Sequence, residues 1–199
     1  MIAKAGDRRF VVVSGLPGSG KTTVGRALAS LLDLPHIDKD DILESLFESR
    51  GIGDAGWRRR LSREADTVFQ AAVSASAGAV ITSFWHVTGM SPDSGTPTGW
   101  LAELPGVIAN VHCECPPAVA AERFVRRTRH AGHRDGTRTA ADVLASFEAL
   151  GGAIVSAGPR VTVDTTRPLD AEAVRRAVET AWIGDPQSTR DGRIAAARS

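Results

Sequence analysis

Tyrosine is absent from this 199-residue chain, cysteine occurs twice, and lysine appears only as Lys4, Lys21 and Lys39. Each shortage excludes something. Two cysteines, Cys113 and Cys115, are too few for a disulfide-built scaffold, and the pair is expected to stay apart and reduced. No apolar run approaches the ~20 residues that cross a bilayer, so no membrane is expected as partner. The opening "MIAKAGDRRF" carries no apolar signal-peptide core, which with the reduced thiols points to the cytoplasm. A formal net charge of +1 supplies no global field for nucleic acid, so nucleic acid is not expected either. Positive charge is carried almost wholly by arginine, which together with the missing tyrosine reads as coding bias.

What remains is the composition of a globular domain, and 199 residues are enough for one full hydrophobic core. Strand-like and helix-like stretches alternate, the signature of a parallel α/β sheet. Strands are expected at 10–14, "HID" (36–38), "AVITSF" (79–84), "GVIANVHC" (106–113) and "RVTVD" (160–164). The first is apolar throughout, as a central strand covered on both faces should be. Helices are expected after the glycine-rich loop (Val24, Leu28 and Leu31 inward) and over 41–50. A long one follows, with Leu61, Ala65, Val68, Phe69, Ala72 and Val73 on one face. Pro117 suits the first turn of a further helix, and Thr139 and Asp170 suit N-caps. One domain over 1–183 is expected, with a polar, unpatterned tail over 184–199.

"GLPGSGKT" matches G-x-x-x-x-G-K-[ST] at Gly15, Gly20, Lys21 and Thr22, after an apolar strand and before a helix. Glycines let successive backbone N–H groups turn inward around phosphate oxygens, and the helix N-terminus adds its dipole. The loop Gly15, Pro17, Gly18, Ser19, Gly20, Lys21, Thr22 and Thr23 is therefore expected to hold ATP. Lys21 should reach the β- and γ-phosphates and Thr22 should ligate Mg²⁺.

The third strand ends in Thr82, Ser83 and Phe84, without the carboxylate that a hydrolytic motor places there. No guanine-reading segment is present. "PHIDKDDILESLF" instead puts Asp38 at a strand end with Asp40 two residues on. Strand C-termini face the ligand crevice of doubly wound sheets, so one carboxylate is expected at the metal and the other at an attacking hydroxyl. Asp41 is expected merely to cap the next helix.

With these residues in view, the chain resembles the small P-loop kinases that phosphorylate hydroxyls. These include gluconate and shikimate kinases, chloramphenicol phosphotransferases and the kinase domains of polynucleotide kinases. "GLPGSGKT", "HIDKDDI", "CPPAVAAERFVRRTR" and "VDTTRP" carry the likeness, over about residues 9–182. It implies a five-stranded parallel sheet of order 2-3-1-4-5 with helices on both faces. It also implies Asp40 as base toward the acceptor, Asp38 near the metal, and Arg123 and Arg127 as phosphate contacts. Thr165 and Arg167 would flank the adenine.

Six arginines between Arg123 and Arg138 face a single local acid, Asp135. Without local partners they should repel, so an Arg-rich lid closing over a triphosphate is expected at 123–138. The acceptor pocket is expected beside Asp40, with Arg59, Arg63, Trp85 and His86 as candidates. Trp85 reads equally as core or as a stacking wall.

The function expected is an ATP- and Mg²⁺-dependent transfer of phosphate to a hydroxyl of a small molecule such as a sugar acid, antibiotic or other metabolite. The rival readings are a 5′-hydroxyl polynucleotide kinase and a nucleotide-binding regulatory ATPase without acceptor chemistry. The pattern chooses no oligomeric state between monomer and homodimer.

Overall fold

Phe10, Val11, Val12 and Val13 have no exposed surface, so the strand they form lies mid-sheet with both faces covered. In the computed structural model, residues 8–91, 93–150 and 155–183 are described; the expected tail at 184–199 lies outside them. The strands are β1 (Arg9–Gly15), β2 (His36–Asp38), β3 (Gly78–Thr82), β4 (Val107–Glu114) and β5 (Arg160–Asp164). All pairings are parallel, and the order is β2-β3-β1-β4-β5. The expected sheet is thus observed, strand for strand.

Among the described residues six helices connect and cover it: α1 (Lys21–Leu32), α2 (Lys39–Arg50), α3 (Ala55–Ala75), α4 (Pro117–Arg126), α5 (Ala140–Glu148) and α6 (Ala171–Ile183). Val11, Val13, Val24, Leu28, Val111, Val174 and Val178 form the core beneath α1 and α6. Phe10, Val12, Phe69, Val73, Ile81, Trp85 and Leu101 form the core on the opposite face, beneath α3. Thr139 caps α5 with a reciprocal capping box, and Asp170 Oδ1 accepts from Ala173 N (2.9 Å).

Two expectations need correcting. Val68, Ala72 and Leu31 are exposed, because α3 and α1 each bury a narrower stripe than the periodicity suggested. Helix α2 begins at Lys39, with Asp38 as its N-cap accepting from Asp40 N (3.0 Å), so Asp41 is not the cap. Cys113 and Cys115 stay apart as expected, though strand alternation alone would put residues two apart on one face. The strand ends at Glu114, so Cys115 turns beneath α4 while Cys113 stays under the α1 face. Both thiols are free and buried, and burial pushes Cys113 up to about 12, leaving it inert.

Candidate active site

Three glycines with positive φ shape the loop between β1 and α1: Gly15 (136°), Gly18 (83°) and Gly20 (86°). A Cβ on Gly18 would overlap the carbonyl oxygen of Ala120 in α4, so the loop can lie against that helix only without a side chain. Gly18→Ala meets both this collision and a left-handed backbone worth about 1–2 kcal/mol. A fall in nucleotide affinity on the order of tenfold is expected, measured by calorimetry with a non-hydrolysable ATP analogue.

Lys21 opens α1 and donates from Nζ to the carbonyl oxygens of Gly15 (3.0 Å) and Leu16 (2.9 Å). Burial pushes its pKa down to about 8. Ser19 is fully buried and its Oγ has no partner. An unpaired buried hydroxyl is costly, and a phosphate oxygen inside the loop would satisfy it.

Thr22 Oγ1 donates to Asp38 Oδ2 (3.1 Å). Burial first, and then the nearby Asp40 charge, push the Asp38 pKa up to about 6. A hydroxyl beside a buried carboxylate is a hard oxygen pair that suits Mg²⁺, which usually takes one or two protein ligands plus phosphates and waters. Among the described residues no group of three His, Cys, Asp or Glu side chains could hold a metal alone. A metal here would therefore depend on the nucleotide's own oxygens. For a Mg·nucleotide bound here, these two shifts would set a pH window. Below about pH 6 Asp38 becomes a neutral carboxyl with little hold on a cation, and above about pH 8 Lys21 loses its charge. Affinity of the Mg²⁺ complex is expected to fall on both sides; titrating a fluorescent analogue from pH 5 to 9 checks this, and a flat profile would contradict it.

Asp38 and Asp40 do face the same cavity, but Asp40 does so from a helix and not from the strand end. Asp40 stands in the first turn of α2, which Asp38 caps. Arg129 binds Asp40 Oδ2 through Nη2 and Asp135 Oδ2 through Nη1 (3.0 Å). Burial alone would raise the Asp40 pKa, but Arg129, with Lys21 and Arg127 behind it, outweighs burial and holds the carboxyl below its ordinary value. Asp40 is thus ionised at neutral pH, with half of its side chain open to the cavity.

The arginines of 123–138 are not unpartnered. Arg123 donates to Thr165 O (3.1 Å), Arg126 lies 3.8 Å from Glu122, and Arg127 lies 3.4 Å from Asp135 and over the Phe124 ring. Arg134 donates to Gly53 O (3.2 Å) and Arg138 to Ser146 Oγ (2.7 Å). Mutual repulsion is relieved within the fold, so it was no signal for a ligand. Arg127 Nε, by contrast, is buried without a partner, at the phosphate side of the cavity.

One cavity of about 500 Å³ runs from the loop past Asp40 to α3 and the loop after β3. The predicted residues Pro17, Gly18, Gly20, Lys21, Thr22, Thr23, Asp38, Asp40, Arg59, Arg63, Arg123 and Arg127 line it. Trp85 and His86 do not. Trp85 is 3% exposed, packs on Phe69 and Trp100, and donates from Nε1 to Val13 O (2.8 Å), so it is core and not a stacking wall. His86 bonds Ser94 O (2.7 Å) through Nδ1, bracing its own loop. Thr165 borders Gly20 and donates to Glu114 O (3.0 Å), while Arg167 is exposed and paired with Asp164; neither lines the cavity.

Sequence reasoning missed Arg58, Lys39, Ser62 and Asp66, all on the cavity wall, and named Arg129 only within the arginine-rich stretch, not as the partner of Asp40. Lys39 is nearly buried, pairing with Asp66 (2.7 Å) and donating to Ser62 Oγ (3.1 Å). It follows Asp38 directly, but nothing in its spacing marks it. The loop 93–95 also reaches the cavity, where Asp93 pairs with Arg63 (3.0 Å).

A parallel 2-3-1-4-5 sheet, a phosphate loop at the end of its central strand and a carboxylate-bearing pocket beside that loop define the class of small P-loop phosphotransferase folds. The profile of the AAA domain family matches residues 10–150, and the chain belongs to that family, among its small-molecule P-loop kinases. It is 33% identical over 154 residues to the shikimate kinase of Dechloromonas aromatica, covering 72% of each chain. A 96-residue stretch is 38% identical to threonine synthase-like 1 of Mus musculus, covering 41% of this chain but only 12% of that protein. The crystal structure of a candidate kinase from Chloroflexus aurantiacus superposes with a TM-score of 0.70 at 26% identity, covering 88% of this chain and 98% of that one. Among the described residues no helix is long and apolar enough to cross a membrane.

Proposed function

We propose that the protein transfers the γ-phosphoryl group of Mg·ATP to a hydroxyl of a small polar molecule that itself carries negative charge. The observation that carries this reading is the shared cavity: Lys21 and Thr22 open on the same space as the ionised Asp40. Lys21 and the loop amides would hold the phosphates, and Thr22 and Asp38 would hold Mg²⁺, which neutralises phosphate charge when bound. Arg127 and Arg123 lie where charge develops on the transferring group. Asp40 sits where an acceptor hydroxyl would enter. Its depressed pKa makes it a weak base, so it both aims the hydroxyl and takes its proton late, as a loose transition state allows.

Nine cationic and five acidic side chains line the cavity, an excess that suits a triphosphate and an anionic acceptor together. Arg59 and Arg63 stand at the acceptor end, and Arg58 joins them from the same helix. The relative from Dechloromonas aromatica is named a shikimate kinase, which agrees with a hydroxylated acid as acceptor.

The test is ADP release from Mg·ATP across a panel of hydroxyl compounds: sugar acids, aminoglycosides, chloramphenicol, nucleosides and a 5′-hydroxyl oligonucleotide. A hydroxylated acid is expected to raise ADP release from the wild type. Stimulation by the oligonucleotide alone would favour a nucleic-acid kinase. ATP binding with no response to any compound would favour a regulatory ATPase.

A further inference from the structure

The segment after α4 has almost no secondary structure of its own. It consists of two short 3₁₀ turns, Ala131–His133 and Asp135–Thr137, joined by Arg134 in the left-handed conformation. Such a segment needs side-chain contacts to hold one position. It makes them with one face of α2.

His133 is the centre of that contact. Its side chain is 1% exposed, and Nε2 donates to Glu44 Oε1 (2.8 Å), since an ionised carboxylate offers only lone pairs. Its ring meets the Phe47 ring edge-on at 5.6 Å, and His130 stacks on the same phenyl ring at 5.4 Å. Gly132 presses its backbone against Phe47 so closely that a Cβ would overlap the ring. From α3, Arg58 Nε donates to the carbonyl oxygen of His133 (3.1 Å).

Asp40, Glu44 and Phe47 are spaced i, i+4, i+7 and therefore share one stripe of α2. The lid contacts them in parallel: Arg129 on Asp40, His133 on Glu44, and His130 and Gly132 on Phe47. The helix that presents the reacting carboxylate is thus also the seat of the lid. Asp135 gathers Arg127 and Arg129 onto one carboxylate oxygen, so seating His133 carries both guanidinium groups into the cavity together.

We propose that His133 and Glu44 are positioning residues: their contact latches the lid to α2, and the latched lid sets Arg129 and Arg127 beside Asp40 for phosphoryl transfer. The transfer part rests on the function proposed above; the latch itself does not. The sequence singled out the lid and its arginines, but neither Glu44 nor the role of His133.

The experiment compares wild type, His133→Ala, His133→Gln and Glu44→Ala in limited trypsin digestion, with peptide mapping of cleavage after the arginines between 126 and 138. The glutamine variant keeps an N–H near the Nε2 position and serves as the conservative rescue. His133→Ala and Glu44→Ala are each expected to speed lid cleavage on the order of tenfold while the urea midpoint stays near that of wild type; His133→Gln should restore most of the protection. Equal cleavage of the alanine variants and wild type would overturn the latch. So would faster cleavage at lid and non-lid arginines alike, because that reports general loosening.

Steady-state kinetics with whichever panel compound raises ADP release provide the second readout. His133→Ala should lower kcat about tenfold with binding of an ATP analogue unchanged, and His133→Gln should recover it. Unchanged kcat with a loosened lid would overturn the positioning role. No acceptor turnover in the wild type, with the cleavage pattern as expected, would overturn the transfer reading while supporting the latch.

Discussion

Asp40→Asn is expected to lower acceptor phosphorylation by a factor of about 10²–10⁴, the usual contribution of a positioned acid–base group. Binding of an ATP analogue should be unaffected. The amide keeps the shape of the side chain and can still accept from the acceptor hydroxyl, but it cannot take the proton. Arg129 keeps Asp135 as its partner, so the lid has no reason to unseat. The variant separates two roles that the cavity brings together. A loss of turnover with intact nucleotide binding places the carboxylate at the acceptor; a loss of both would mean that Asp40 serves the phosphate side through Arg129. Unchanged turnover would remove it from the chemistry.

Trp85→Ala is expected to cost about 3–5 kcal/mol, the range for truncating a large buried aromatic side chain. For a domain with roughly 5–15 kcal/mol of total stability, that lowers Tm by about 10 °C. The ring lies against Phe69 and Trp100 at centroid distances of 5.8 and 6.4 Å. Its indole N–H is tied to Val13 O just before the phosphate loop, so truncation leaves a cavity beneath that loop. Thermal unfolding followed by calorimetry reads the effect. Were Trp85 a wall of the acceptor pocket, the same change would raise the acceptor KM and leave Tm in place.

Much of the fold was legible from local patterning. The valine run 11–13 could only be a central strand, and the phosphate loop followed it in the one arrangement that lets a helix N-terminus face a phosphate. Thr139 and Asp170 cap as their residue types and positions suggest. Helix faces were less legible. Val68 and Ala72 fit the apolar stripe of α3 but remain exposed, because how wide a stripe is buried depends on what packs there.

The candidate site divides in the same way. Its phosphate half is a contiguous motif, with Gly15, Gly20, Lys21 and Thr22 held by one loop and one helix, so chain order carries it. The rest of the cavity is assembled from α2, α3, the loop after β3 and the segment after α4, with no spacing rule to join them. Lys39 and Asp66 lie far apart in the chain yet pair at 2.7 Å, and Arg129 reaches Asp40 across 89 positions. Trp85 and His86 followed a strand end and looked like pocket residues. Tertiary packing turned the indole into the core and tied the imidazole to its own loop.

By itself, then, the sequence determined the strands, the helix starts and the phosphate-loop motif, because each depends on residues within a turn or two of one another; the order of the strands in the sheet rested on the family likeness. Only the tertiary structure decided which arginine meets Asp40, which side chains wall the rest of the cavity and where the segment after α4 rests. Those depend on contacts between segments that chain order keeps apart, and close packing alone brings them together.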